Sequence, residues 1–304
     1  MKKVILLAGP TASGKSDLAI FLAKKINGEI INADSMQVFK EIKILSARPN
    51  YYNGIKHHLY GFLTVKKNFS TGEWLRLVEK KVIQIIRKKK TPIIVGGTGL
   101  YFKSLLDGLA KIPSITQNQR QKISSLYNKI GNKAFYKKLV KLDPRCKNKI
   151  SFNDKQRMIR FYEVKFYTKK SIFLWQKETQ HNLKNYYFIK IFLNLPRPLL
   201  LNKINKRFKQ MMDNGALKEA QKFNNLGIRS QLTANNILGL KELVSHLNGK
   251  TSIDYAFERS IIRTRQYIKR QMTWFRGQMK GWKDFSDPKK SDLQKKVLNF
   301  IRTT

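Results

Sequence analysis

Short apolar runs alternate with stretches of helical spacing through the first part of the chain. Val4-Ile5-Leu6-Leu7-Ala8 is a continuous apolar run of strand length. Asp17 to Ile26 then sets Leu18, Ala19, Leu22, Ala23 and Ile26 on one helical face. Glu29-Ile30-Ile31-Asn32-Ala33 reads as a second strand ending at Asp34-Ser35, and Glu73 to Ile86 returns to helical spacing with Trp74, Leu77, Val78, Val82, Ile85 and Ile86. Thr91-Pro92-Ile93-Ile94-Val95 is a short buried strand closed by Gly96-Gly97-Thr98-Gly99. Strands that alternate with helices predict an α/β class, a parallel sheet flanked by helices on both faces. In open parallel sheets the ligand lies beyond the carboxyl ends of the strands. Three such ends are expected to face one site: the loop from Gly9, Asp34-Ser35, and Gly96 to Thr98.

The pattern changes after residue 111. Ile112 to Gln180 is lysine-rich, polar and helical in spacing, with helices expected over Asn118–Ile130, Asn132–Leu142 and Asp154–Tyr167. This predicts a helical insertion within the sheet domain. Phe188-Ile189-Lys190-Ile191-Phe192-Leu193 resumes the sheet, and a helix starting at Pro198 carries Leu201, Ile204, Arg207, Phe208 and Met211 until Asn214-Gly215. The last third is helical, with its longest stretch over Ala256–Gln278. The expected organisation is a first core part over 1–111, the insertion over 112–180, core completion with basic helices over 181–285, and a tail over 286–304.

The first strand runs directly into Gly9-Pro10-Thr11-Ala12-Ser13-Gly14-Lys15-Ser16, a G-x-x-x-x-G-K-S phosphate loop (P-loop). Its backbone N–H groups can wrap a diphosphate or triphosphate, Lys15 adds a point charge, and the Ser16 hydroxyl suits Mg²⁺. The helix that follows points its N-terminus at the anion, where the dipole favours negative charge. By itself the loop suggests ATP, and Lys15 does not distinguish ATP from a smaller diphosphate ester. No apolar strand ends in Asp-x-x-Gly and no N-K-x-D motif occurs, which disfavours a GTP-driven switch.

Charge adds a second ligand class. Sixty-two Lys and Arg against nineteen Asp and Glu give a net charge of +43, which points to a polyanion, nucleic acid foremost. The same chain is rich in Lys, Ile and Asn together, so part of that charge reads as solvated surface. The single cysteine, Cys146, allows no internal disulfide and fits a reducing cytoplasm. Paired Cys or His zinc ligands are absent from the sequence. Met1-Lys2-Lys3 before an apolar run has the look of a signal peptide, but the run is too short and flows into the phosphate loop. No stretch has the length and apolarity of a membrane span.

Three further features carry candidate chemistry. Asp34 stands at the tip of the second strand beside the phosphate loop, in a chain poor in acids. It can act as a general base, a contribution of about 10²–10⁴ in rate, sit near Mg²⁺, or cap the next turn. Arg207 lies one turn beyond Lys203 and offers a phosphate the bidentate bonding that Lys cannot. Arg263 to Arg276 interleaves basic and aromatic residues, which suits phosphate contact and base stacking and equally suits a helix with a basic solvated face and an aromatic buried one.

In order along the chain stand GPTASGKS, Asp34-Ser35-Met36-Gln37-Val38-Phe39, Ala47-Arg48-Pro49, His57-His58-Leu59, Gly96-Gly97-Thr98-Gly99-Leu100-Tyr101 and Lys269-Arg270-Gln271-Met272-Thr273-Trp274-Phe275-Arg276. This ordered set closely resembles the tRNA dimethylallyltransferase family, also called tRNA isopentenyl-diphosphate transferases, up to about Phe285. The resemblance implies transfer of a dimethylallyl group from its diphosphate to N6 of the adenosine just 3′ of the anticodon, with Mg²⁺ as cofactor, by a monomeric cytoplasmic enzyme that grips the anticodon stem-loop in part through the helical insertion. It implies catalytic roles for Asp34, Lys15 and Arg207, diphosphate binding by Gly9 to Ser16, and a metal contact at Ser16. It implies tRNA contacts at Asp34, Ser35, Met36, Gln37, Thr98, Arg120, Gln156, Arg157, Met158, Ile159, Arg160, Asn236, Ile237, Leu238, Gly239, Leu240 and Lys241. The chain departs from the family pattern at Leu240, where a tyrosine is usual, and at Phe39, which lacks a tyrosine hydroxyl. A P-loop kinase of a small metabolite shares the loop, the strand-end aspartate and a helical lid, but does not need the long basic C-terminal third. A non-catalytic RNA-binding protein does not need Asp34, Lys15 and Ser16 together.

Overall fold

The computed structural model describes residues 2–49, 54–179 and 182–304. Met1 and the expected boundary at residues 180–181 lie outside the described residues. The chain divides into two compact units, Met1–Ser104 with Leu183–Thr304, and Leu105–Asn182.

The first unit is built on a six-stranded sheet of β1 (Lys2–Ala8), β2 (Gly28–Asn32), β3 (His57–His58), β4 (Thr91–Gly96), β5 (Tyr186–Leu193) and β6 (Lys283–Phe285). The strand order is β3-β2-β4-β1-β5-β6 and every pairing is parallel. Both faces of the central strands are buried, as parallel strands flanked by helices require. Ile5, Leu7, Ile30, Ile93, Val95, Ile189 and Ile191 pack with Leu18, Ala19 and Leu22 of α1 (Lys15–Lys25). The alternate residues Val4, Leu6, Ile31 and Ile94 are equally buried and face the opposite side by the two-residue period of a strand. On β2 and β4 rests α2 (Thr71–Arg87), which opens with a capping box between Ser70 and Glu73 and buries Trp74, Leu75, Val78, Val82 and Ile85.

The next helix, α3 (Gly99–Asp107), begins at the glycine closing the β4 loop. Beyond β5 come α7 (Arg197–Asp213), α8 (Ala216–Asn224), α9 (Leu240–Leu247) and α10 (Ile253–Gln278). They form a second core with the segment after β2: Val38, Phe39, Ile42 and Leu45 pack with Leu200, Ile204, Phe208, Ala220, Leu243 and Ile268. Residues 286–304 join the first core. There α11 (Lys290–Thr303) buries Leu293, Val297, Leu298 and Ile301 in the α1 cluster, and Lys290 pairs with Asp17 at 3.0 Å.

The second unit contains α4 (Gln117–Leu142), α5 (Lys155–Thr168) and α6 (Ile172–Lys177). The two helices expected over 118–142 are one element with a break at Gly131, whose φ of +77° lies in the left-handed region glycine favours. Phe135, Leu139, Cys146, Met158 and Tyr162 form its core. Burial and the Asp143 carboxylate push the Cys146 thiol up to about 12, so it stays protonated and inert.

Candidate active site

The carboxyl ends of β2, β4 and β1 lie side by side, so the three loops expected to converge do so. At the β2–β4 junction a Cβ on Gly96 would sit 2.0 Å from the Ala33 carbonyl oxygen, so only glycine fits. Ala33 N donates to Val95 O at 2.7 Å and Thr98 N to Ala33 O at 3.2 Å. The Thr98 hydroxyl accepts from Ser35 N at 3.0 Å and donates to Ser35 Oγ at 3.3 Å.

Asp34 is fixed from behind by Asn32. Asp34 N donates to Asn32 Oδ1 (2.8 Å), while Asn32 Nδ2 donates to Asp34 O (2.9 Å) and Leu59 O (3.0 Å). The Trp74 indole N–H donates to Asn32 O at 2.8 Å, and its ring stacks on Tyr101 at 4.3 Å and 13°. Asp34 Oδ1 accepts from Met36 N at 2.9 Å, the turn-capping use of a strand-end aspartate. Its Oδ2 accepts no hydrogen bond among the described residues.

In the phosphate loop, Ala12 and Gly14 take positive φ, and Ser13 N donates to Pro10 O at 3.3 Å. Lys15 Nζ donates to Pro10 O at 2.5 Å and lies 3.4 Å from Ser13 Oγ. Ser16 follows, half-buried in the first turn of α1. Burial lowers Lys15 to about 7. The Asp34 carboxylate opposes that shift and the Arg207 guanidinium adds to it. Arg207, on α7, is likewise lowered by burial, against the pull of Asp34. Tyr101 and Tyr267 are raised, first by burial and then by the Asp34 charge. One carboxylate is therefore felt by side chains from the phosphate loop, α3, α7 and α10.

Two residues that sequence reasoning left without a role come from α10. Gln271, 6% exposed, accepts from Thr11 N at 3.1 Å and donates to Gly97 O at 2.9 Å. Trp274 lies so close that a Cβ on Gly99 would fall 2.1 Å from its ring. The basic and aromatic stretch of α10 is divided: Lys269, Arg270, Thr273 and Arg276 are exposed, whereas Ile268, Gln271 and Phe275 are buried. Glu219, at the start of α8, was also not singled out. It accepts N–H bonds from Lys43, Ile44 and Leu45 at 2.7, 2.9 and 2.8 Å and fastens the segment after Asp34. No sequence signal marks Glu219, whereas Gln271 lies within a motif that was visible.

Of the expected tRNA contacts, Asp34, Ser35, Met36, Gln37 and Thr98 gather at the strand ends. Gln37 Nε2 is used within the loop, donating to Ser46 O and Ala47 O at 3.1 Å each. Ile237, Gly239 and Leu240 are buried beside α9, while Asn236 and Lys241 are exposed and Leu238 is half-buried. Within the second unit, Arg120, Gln156 and Arg157 are exposed, Ile159 and Arg160 half-buried, and Met158 buried in the core. The Met158 side chain packs into that core. Arg160 is lowered by burial and by the neighbouring Arg120, and its Nη1 stands 3.8 Å from the buried Glu163.

The IPP transferase family model matches residues 37–278. A tRNA dimethylallyltransferase of Pelagibacter ubique is 51% identical over 92% of this chain and 90% of its own length. One from a Caulobacter species is 39% identical over 92% and 91%. Among solved structures, the full-length tRNA isopentenylpyrophosphate transferase of Bacillus halodurans superposes with a TM-score of 0.71 at 30% identity, covering 100% of this chain and 96% of that one. A eukaryotic dimethylallyltransferase acting on tRNA gives 0.82 at 29% identity, covering 100% and 80%. Matched by the family model over residues 37–278 and by a relative of 51% identity over 92% of its length, this chain belongs to the IPP transferase family.

Proposed function

We propose that this chain transfers a dimethylallyl group from dimethylallyl diphosphate to N6 of the adenosine just 3′ of the anticodon in tRNA. The observation that carries the reading is Asp34 held by Asn32 and the Met36 N–H at the end of β2, with its second oxygen unbonded among the described residues, on the same carboxyl edge of the sheet as the loop of Lys15, in a chain 51% identical to a tRNA dimethylallyltransferase. The loop, Lys15 and Arg207 receive the diphosphate. Charge grows on that group as the allylic C1–O bond breaks, and preorganised cations in a site of reduced solvation stabilise it. The adenine amine is a weak nucleophile because its lone pair is delocalised into the ring. Asp34 Oδ2 takes its proton as the N–C bond forms. The adenine leaves its stack to reach the site, as in other base-modifying enzymes.

The donor set suits Mg²⁺ held chiefly by the substrate. Ser16 offers one hydroxyl, and no group of three His, Cys, Asp or Glu gathers among the described residues. Mg²⁺ is commonly held by few protein ligands together with phosphate oxygens. When bound it would neutralise charge on the leaving diphosphate.

The second unit, with exposed Arg120, Gln156 and Arg157, grips the anticodon stem-loop, and exposed Lys269, Arg270 and Arg276 add phosphate contacts. The enzyme acts as a monomer in the cytoplasm. The lone Cys146, buried as a free thiol, suits a reducing compartment. A small-metabolite kinase is not favoured, because the relatives are named for tRNA prenylation. The test is incubation of the purified protein with unmodified tRNA, dimethylallyl diphosphate and Mg²⁺, then nucleoside mass spectrometry. Isopentenyladenosine is expected, and its absence overturns the reading.

A further inference from the structure

We propose that Gln271 is a positioning residue that sets the spacing between the donor-holding loop and the acceptor-side carboxylate. The inference rests on the prenyl-transfer reading above.

The two halves of the site belong to different strands. Thr11 and Lys15 lie on the loop after β1, Asp34 lies after β2, and β4 separates those strands. At two inter-strand spacings, the gap is about 10 Å. Beyond the ends of the strand ladder, a buried side-chain amide bridges the two loops. Gln271 Oε1 takes the Thr11 N–H and its Nε2 donates to Gly97 O. Gly97 is joined to Thr98, whose hydroxyl holds Ser35 N, and Ser35 is joined to Asp34. Every link from the phosphate loop to Asp34 is a peptide bond or a hydrogen bond of 3.1 Å or less.

The chemistry of the linker is specific. One planar amide supplies both an acceptor and a donor. A glutamate supplies no donor when ionised, a methionine offers no useful bond, and lysine or arginine supplies no acceptor. The approach is close enough that a Cβ on Gly97 would lie 2.5 Å from Gln271 Nε2. Trp274, three residues along the same helix, presses on Gly99 of the same loop. Both hydrogen bonds that Gln271 makes go to backbone groups of the two loops, Thr11 N–H and Gly97 O. Gln271 acts through Thr11 and Gly97, and its effect falls on how the bound substrates are aligned. A misplacement of about 1 Å costs on the order of 10²-fold in group transfer.

The test measures binding and transfer separately. Equilibrium binding gives the affinity for dimethylallyl diphosphate and for tRNA, and single-turnover kinetics from the preformed ternary complex gives the transfer rate. Gln271→Met, similar in shape but without the two bonds, is expected to lower the transfer rate by about 10- to 100-fold while each affinity changes less than about threefold. Gln271→Glu supplies the second arm. A protonated carboxyl can donate to Gly97 O while accepting from Thr11 N, and burial at this 6%-exposed position raises a carboxyl above its ordinary value of about 4.3, so the rate of this variant relative to wild type should rise as pH falls from about 8 to 5. A transfer rate within twofold of wild type for Gln271→Met overturns the inference. So does a loss explained wholly by weaker binding, or a flat relative rate for Gln271→Glu. Should the wild-type protein transfer no prenyl group, that failure belongs to the functional reading, and hydrogen exchange then decides the positioning role. Gln271→Met should speed exchange in both residues 9–16 and residues 33–36. Acceleration confined to α10, or none, overturns it.

Discussion

If the loop holds the diphosphate as proposed, the lowering of Lys15 by burial makes donor binding a proton-uptake reaction. With the group lowered to about 7, about nine-tenths of the free protein should carry a neutral amine at pH 8. A bound diphosphate supplies negative charge beside the amine and draws its pKa back toward the ordinary lysine range. Binding at pH 8 should therefore take up about 0.9 proton at Lys15, against about 0.5 at pH 7. A diphosphate ester is close to fully ionised at pH 8 and contributes little of its own. Affinity should fall by up to about tenfold per pH unit between pH 8 and 10. Calorimetric titration with dimethylallyl diphosphate in buffers of different ionisation enthalpy reads the proton number directly. Lys15→Arg, which keeps its charge at these pH values, should abolish the uptake whatever it does to affinity. The unliganded protein carries the matching signature. Because the native Lys15 binds fewer protons than the unfolded chain between about 7 and 10.5, its contribution to stability rises with pH across that window. A wild-type proton number near zero at pH 8, or one unchanged in Lys15→Arg, would refute the reasoning.

Three other substitutions probe the frame. Asp34→Asn should leave tRNA affinity within threefold and reduce the transfer rate by about 10²–10⁴, and unchanged turnover removes Asp34 as the base. Gly96→Ala drives a methyl group against the Ala33 backbone and should destabilise the fold by ~1–3 kcal/mol or more, seen as a lower midpoint in urea. A fully stable variant would show that the β2–β4 approach can relax. Trp74→Phe removes the indole donor to the buried Asn32 carbonyl and should cost ~1–3 kcal/mol. A loss under ~0.5 kcal/mol would mean that the carbonyl finds another partner.

Local signals made much of the architecture legible. The run Val4–Ala8, the phosphate loop and the spacing of α1 are each contained in a short window, and so are α2, β4, α7 and α10. Asp34 was visible because a strand ended beside it. β3 was not readable: two histidines carry no strand period, and the strand exists because His57 and His58 pair with Ile30 and Ile31. The glycines of 96–99 read as loop and hid α3, whose Tyr101, Phe102 and Leu105 are buried by tertiary packing. α11 takes its place from contacts with α1 at the other end of the chain. The same reason hides Gln271, whose partner Thr11 is 260 residues away. A motif can mark such a residue, but only the fold shows which two loops it joins.

The central claim is that the loop releases a diphosphate rather than donating a phosphate. The most direct measurement uses dimethylallyl diphosphate labelled in both the prenyl carbon and the phosphorus, incubated with unmodified tRNA and the protein. The account predicts that the carbon label moves to the adenosine next to the anticodon while all the phosphorus appears as free diphosphate. Phosphorus in the tRNA, or carbon that stays on the donor, would contradict it.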